Sequence, residues 1–246
     1  MAMIEEFERS GNWLFKRRSF LPIVIFVMLP LAVWFDPGSL IRFPEMQLAI
    51  FGLIVSFLGL VVRSYAVGFS AKYTSGRNRS GQVAGSVNKK GIYSIVRHPL
   101  YLGNFLMWLG LIIYTGMIWF ILFVVLIFWV YYERIMFAEE SFLRGKFKED
   151  YSEWADRTPC FIPNFGLWDK TDSGFSFKKV IKNEIYGFVV IAVSVLYINA
   201  MRNYVATGNI SADMHWLIFA GVSFVLLIII RYLKKNTNVF DNQKSK

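Results

Sequence analysis

Apolar positions in this chain gather into six runs, at 19–35, 46–69, 100–114, 117–132, 186–201 and 216–232. Neither the strict alternation of a half-buried strand nor the one-sided stripe of a soluble helix runs through them. Each is apolar all round, as in a helix whose surroundings are hydrocarbon. Several hold only about 15–17 residues, near the lower limit for crossing a core about 30 Å thick. Trp34, Trp119, Tyr132, Tyr186, Trp216 and Tyr232 sit at their ends, where such rings extend a short span into the headgroup layer. The expected fold is all-α: a polytopic membrane helical bundle of about six transmembrane helices. Residues 1–182 would form a core with four spans and two substantial polar segments. Residues 183–246 would add a two-span hairpin and a basic tail. The first run reads as a span and not a cleaved leader, because Glu5, Glu6 and Glu8 precede it and no small-residue cleavage site follows.

Composition agrees with this pattern. Hydrophobic residues make up 55% of the 246 positions, charged ones 18%, and the mean hydropathy is +0.43. A soluble domain carries more charge. The formal charge of +10 is informative through its placement. Of the 27 Lys and Arg, 24 fall before the first run, in 70–97, in 133–182 or after 230; Arg42 and Arg202 fall in the alternate loops, and Arg63 inside the second run. That asymmetry puts both termini and the two long polar segments on the cytoplasmic side. It also makes anionic lipid headgroups the expected partner of the basic segments, and nucleic acid not expected. The tail 243–246 carries no eukaryotic retrieval signal, which points to a bacterial cytoplasmic membrane. The single cysteine, Cys160, excludes an internal disulfide. Asn78-Arg79-Ser80 and Asn209-Ile210-Ser211 match the glycosylation pattern but carry no weight here, the first being internal and the second in a short loop.

Connectivity places the candidate chemistry. Only Thr115-Gly116 separates the third and fourth runs, so these form an antiparallel hairpin, and the segments 70–98 and 133–182 emerge side by side. The first holds a flexible Gly/Ser/Asn stretch over 75–82, then Gly91–Val96, readable as a short helix or an extended piece. It ends in Arg97-His98-Pro99-Leu100-Tyr101-Leu102-Gly103. Pro99 suits the first turn of a helix, whose free N–H groups and positive dipole end make an anion site. The second segment continues the fourth helix. Glu133, Arg134, Glu139 and Glu140 lie at its inner end, with Glu133 and Glu140 on one face. Phe142, Leu143, Phe147, Tyr151 and Trp154 then recur at helical spacing, and Pro159 and Pro163 bracket a rigid turn. An anion-friendly helix start beside paired carboxylates can hold both ends of a polar zwitterion. Arg63 either snorkels to the interface or reaches this site, and His215 beside Trp216 reads as an interfacial anchor. No acidic residue lies deep in any of the six runs, and no internal repeat is visible, which counts against a transporter.

These motifs, in this order and with a hairpin between them, resemble the integral-membrane methyltransferases, which include isoprenylcysteine carboxyl methyltransferase and the phospholipid N-methyltransferases. The likeness covers roughly 50–165. It rests on the Arg97-His98-Pro99-x-Tyr101 entry, on Glu139-Glu140-x-x-Leu143 with Phe147 and Tyr151, and on Pro159-x-x-x-Pro163. It implies S-adenosyl-L-methionine as methyl donor, a cofactor site on the cytoplasmic face formed by His98, Pro99, Tyr101, Leu102, Gly103, Glu139 and Glu140, catalytic roles for Arg97, His98 and Glu140, and no metal. The substrate it implies is a membrane lipid or a lipidated acceptor such as an isoprenylated cysteine carboxylate. Two departures stand out: Lys148 replaces a usual Gly, and Trp154 a usual Tyr. Two other readings stay open at this stage. One is an NADPH-dependent reductase of sterol-like or enone lipids, a class that has Asn near the Tyr where this chain has His98-Pro99. The other is a non-catalytic membrane scaffold.

Overall fold

The computed structural model describes residues 2–18, 20–70, 82, 84–237 and 239–240. The stretch 71–81, which contains Asn78-Arg79-Ser80 and most of the Gly/Ser/Asn segment, and the tail 241–246 lie outside the described residues. Among the described residues the structure is helical. Its elements are α1 (Met3–Lys16), α2 (Leu21–Phe35), α3 (Pro37–Leu40), α4 (Glu45–Phe69), α5 (Ile92–Ile95), α6 (Pro99–Thr115), α7 (Ile118–Phe147), α8 (Glu149–Ala155), α9 (Phe177–Thr207) and α10 (Met214–Asn236), with a 3-10 turn at Phe165–Leu167 between α8 and α9. A lone antiparallel β-bridge, Gly91 to Asp169, is also present among them.

Four helices, α4, α7, α9 and α10, are long and apolar enough to cross a bilayer by length and composition. α2 and α6, at 15 and 17 residues, reach about 22–26 Å at 1.5 Å per residue. Both nevertheless pack into one bundle with their long neighbours, α6 against α4 and α2 through Phe26 against Trp108 and Tyr197. α6 begins beside the inner half of α7 and ends at Gly116, whose left-handed φ of 70° turns the chain straight into α7. α2 starts just after α1, and the Asp36 that follows it accepts a bond from Trp119 near the start of α7. The six apolar runs of the sequence therefore correspond to six helices of one bundle, and the chain is an integral membrane protein.

Hydrocarbon gives apolar helices little reason to associate, so contact depends on close backbone approach and on interhelical hydrogen bonds. α4 and α6 supply both. They pack antiparallel, with Gly52 against Gly110 and Gly59 against Gly103. Between the two glycine pairs, Ser56 Oγ donates to the Met107 carbonyl at 3.0 Å. A side chain at any of the four positions would overlap the opposite helix.

α1 was not expected from the sequence. It lies antiparallel along the inner half of α7: Gly11 sits against the Arg134 backbone, Phe7 packs edge-on against Phe137 at 5.7 Å, and Tyr131 OH donates to the Leu14 carbonyl. The expected extension of the fourth helix is present, but it breaks at Lys148. There φ is +48°, the one positive value at a non-glycine among the described residues. The chain turns at that point, and α8 starts. Such a conformation favours glycine, and Lys148 adopts it at the turn between α7 and α8.

Two further differences concern charge. Glu184 is not outside the fifth span, because α9 begins at Phe177, nine residues before the apolar run, and Glu184 is buried within it. Likewise Arg202 is not in an external loop. α9 continues to Thr207, and Arg202 is buried at the Gly116 end of the bundle, donating to the backbone carbonyls of Leu40 and Phe43.

Candidate donor site at the start of α6

Three stretches of chain meet at the inner end of the bundle. The backbone of Arg97 and His98 is held by the turn after α8: Arg97 N donates to the Pro159 carbonyl at 2.9 Å and His98 N to the Cys160 carbonyl at 3.2 Å. Asn164 N donates to the Ile95 carbonyl and Gly91 N to the Asp169 carbonyl, so the segment 159–169 runs alongside 91–98. The turn bracketed by Pro159 and Pro163 thus fixes the entry to α6. α7 passes on the other side and presents Glu139 and Glu140.

The side chains form one network around the Glu140 carboxylate. Arg97 Nε donates to Glu140 Oε1 at 2.9 Å, and His98 Nε2 lies 2.9 Å from the same oxygen. Cys160 Sγ is 3.5 Å from it and 3.9 Å from Met136 Sδ. Arg97 also reaches the Ala155 and Thr158 carbonyls. Glu139 turns toward Tyr101, whose hydroxyl donates to Oε2 at 2.8 Å, and His98 Nδ1 is 3.8 Å from that oxygen. The His98 and Tyr101 rings stack at 5.5 Å. His98 is 7% exposed. Burial opposes its charge, but hydrogen bonding with Cys160 and Glu140 and the field of Glu139 outweigh burial and push its pKa up to about 9. At neutral pH His98 is therefore an imidazolium, and Arg97 and His98 together face two carboxylates.

Of the residues expected at the site, Arg97, His98, Tyr101, Glu139 and Glu140 converge. Pro99 opens α6 as expected, but the anion site of that turn is reduced: Pro99 has no N–H, and the Tyr101 and Leu102 N–H groups both bond to the His98 carbonyl. Gly103 faces α4, where a Cβ would meet Arg63 and the Gly59 carbonyl, so its packing role is evident. Glu133 is exposed. Arg63 does not snorkel. Its guanidinium pairs with both oxygens of Glu184 at 2.8 Å, and its Nη1 donates to Asn104 Oδ1 at 2.7 Å. Asn104 in turn donates to Tyr132 OH, and the Tyr132 ring packs against Tyr101 at 5.0 Å. A polar line thus connects α9 to the site through α4, α6 and α7.

Cys160 was read from the sequence only as the single cysteine, lying within the proline-bracketed turn. Its place beside Glu140 comes from chain reversal after α8, which no local pattern encodes. Tyr151 was read as one position of an amphipathic face. Its ring is 1% exposed, its hydroxyl has no hydrogen-bond partner among the described residues, and it lies in the field of both Glu140 and Arg97.

A helical hairpin that carries an Arg-His-Pro entry on one arm and paired glutamates on the other, joined at the membrane surface, defines a class: a membrane-embedded bundle with a polar site at one end. Comparison with known proteins identifies the kind. Residues 48–150 match the family described as phospholipid methyltransferase, and over that segment the likeness read from the motifs is borne out. Among curated proteins, the chain is 34% identical over 116 residues to the cobalt-zinc-cadmium resistance protein CzcN of Cupriavidus metallidurans, covering 47% of this chain and 51% of that one. It is 33% identical over 116 residues to the nickel-cobalt-cadmium resistance protein NccN of Alcaligenes xylosoxydans xylosoxydans, covering 47% and 52%. It is 29% identical over 138 residues to the protein-S-isoprenylcysteine O-methyltransferase of Schizosaccharomyces pombe, covering 50% and 56%. The chain thus spans about half the length of the curated relatives it matches. No solved structure matches it.

Proposed function

We propose that this protein transfers a methyl group from S-adenosyl-L-methionine to a membrane-embedded amphiphile, at the basic, cytoplasmic end of its helical bundle. The observation that carries the reading is the meeting of Arg97 and His98, at the start of α6, with Glu139 and Glu140 on α7. The residues suit the donor. Its amino-acid part bears a carboxylate and an ammonium, for which Arg97 with His98, and Glu139 with Glu140, are complementary partners. The buried Tyr151 hydroxyl, without a partner among the described residues, offers a further polar contact. The family match over 48–150 supports the same chemistry.

When bound, the donor supplies a methyl group on a sulfonium leaving group, ready for in-line displacement. The protein then has to align the acceptor and exclude water. A carboxylate acceptor needs no base. An amine or hydroxyl acceptor does, and Glu140 and His98 are the candidates for it. The acceptor reaches the site from the lipid phase. The 24 internal Lys and Arg set the orientation with both termini on the cytoplasmic side, as in a bacterial inner membrane. Isothermal titration of the detergent-purified chain with S-adenosylhomocysteine tests the reading: submillimolar binding is expected, weakened at least about tenfold by Glu140→Gln, in line with the loss of about 1.5–3 kcal/mol for a hydrogen bond to a charged group. A folded sample that does not bind refutes it.

A second reading, a part in resistance to divalent metals, is favoured by the names of the two bacterial relatives. Growth of a deletion strain in graded cadmium and zinc, beside lipid analysis for lost 14-dalton methyl increments, separates the two.

A further inference from the structure

The geometry points to a soft divalent-metal site at the start of α6, formed by His98, Glu140 and Cys160 with Met136 Sδ as a neighbouring fourth donor, and suited to Zn²⁺ or Cd²⁺. The ligand atoms of His98, Glu140 and Cys160 all lie within 4.8 Å of one another. Bond lengths of about 2.0–2.1 Å to nitrogen, 2.0–2.2 Å to oxygen and 2.3 Å to sulfur in a tetrahedron place donor atoms about 3.3–3.8 Å apart. The observed separations bracket that range: 2.9 Å from His98 Nε2 to Glu140 Oε1, 3.5 Å from Cys160 Sγ to the same oxygen, and 3.9 Å from Cys160 Sγ to Met136 Sδ. The donors come from three separate stretches, fixed by the backbone bonds between 97–98 and 159–160 and by the buried inner half of α7. An ion therefore meets donors already gathered, and His98 Nε2 and Glu140 Oε1 must part from their hydrogen-bond separation to admit it. The donor set of one imidazole, one carboxylate and two sulfurs favours borderline and soft ions over Mg²⁺ or Ca²⁺.

Coordination is a proton exchange. As the ion bonds to sulfur and nitrogen, the thiol and the imidazolium each release a proton to solvent. Arg97 shares the Glu140 carboxylate but is held independently by the Ala155 and Thr158 carbonyls. Its Nε holds the same Glu140 oxygen, Oε1, to which the separations above are measured, so the guanidinium yields that oxygen to an incoming ion and stays in place through the two carbonyls. His98 and Glu140 are also residues assigned above to the methyl donor. Competition between ion and donor follows, and this part alone rests on the proposed function.

Cys160 is the single cysteine of the chain, so thiolate-to-metal charge-transfer absorption reports one site. The full-length protein in detergent is titrated with Cd²⁺, and bound ion is counted by equilibrium dialysis. One Cd²⁺ per chain is expected, with an ultraviolet thiolate band. The band disappears in Cys160→Ser. Affinity falls at least tenfold in both His98→Gln and Glu140→Gln, each checked for retained helicity by circular dichroism. No band, or a band of unchanged affinity in His98→Gln and Glu140→Gln, overturns the site, because Cys160 is then binding the ion alone. A variant that loses helicity is replaced by Met136→Leu, for which a two-fold or larger loss of affinity supports the site and unchanged affinity of an otherwise intact band counts against the fourth donor. S-adenosylhomocysteine added to the Cd²⁺-loaded protein is expected to bleach the band. A stable band in a protein that binds both refutes the competition and leaves the metal site standing. A protein that binds Cd²⁺ as described but no S-adenosylhomocysteine refutes the proposed function instead.

Discussion

The charge state of His98 sets the pH behaviour of the site. Its pKa rises from an ordinary 6.5 to about 9 on folding, since hydrogen bonding to Cys160 and Glu140 and the field of Glu139 outweigh the opposing effect of burial. A raised folded-state pKa stabilises most where the unfolded chain is also protonated, below pH 6.5, and that stabilisation is lost as pH rises through 9. The full amount is on the order of 3 kcal/mol for a shift of this size. The thermal midpoint of the detergent-solubilised protein is therefore expected to fall between pH 6.5 and 9.5, and His98→Gln is expected to flatten that slope. An unchanged slope in the variant shows that His98 is not the group responsible. At this scale the sequence was informative for Arg97, His98, Glu139 and Glu140, because each sits in a short motif whose neighbours reveal its helix position. It was silent on the partners of Cys160 and Tyr151, which are brought in by a reversal of the chain after α8.

Helices were legible wherever an apolar run exceeded a dozen residues, and less so where the signal was amphipathic. α1 escaped notice because its buried side is a sparse stripe, Phe7, Gly11, Leu14 and Phe15, set among Glu5, Glu6 and Glu8. Charges in such a segment read as a tail until a partner helix is known. The packing of α4 on α6 was equally hidden, since Gly52, Gly59, Gly103 and Gly110 mean little singly. Their seven-residue spacing on both helices becomes a contact surface only when the two are set antiparallel. Gly110→Ala puts a methyl group into the Gly52 carbonyl and the Ser56 backbone, and overpacking of that kind costs about 1–3 kcal/mol. Gly221→Ala, in α10 with nothing within 4 Å of the added carbon, is expected to be neutral or to stabilise by up to about 1 kcal/mol through helix propensity. Thermal unfolding of the two variants side by side is expected to separate them in opposite directions. Equal shifts refute the close-packing role of the α4–α6 contact.

The bundle is held in part by an ion pair of which sequence reading placed only Arg63 in its helix. Arg63 was read inside the second apolar run, either snorkelling or reaching the site, and Glu184 drew no reading because the apolar stretch of α9 starts two residues later. α9 in fact extends inward past Glu184, and the last hairpin is fastened to the core by a pair whose side chains are 17% and 5% exposed. Removing one member leaves a charge stranded among apolar helices at a cost of about 3–5 kcal/mol, whereas replacing both with apolar side chains is often close to neutral. Glu184→Leu alone is accordingly expected to lower the unfolding midpoint sharply, and Arg63→Met with Glu184→Leu to recover most of the loss. The site responds differently. Arg63 also orients Asn104, which donates to Tyr132 beside Tyr101, the residue that holds Glu139. The double variant, restored in stability, is still expected to bind S-adenosylhomocysteine several-fold more weakly than the parent chain. If stability and binding recover together, the hairpin serves the bundle alone; if stability returns and binding does not, α9 positions the donor site from across the membrane helices.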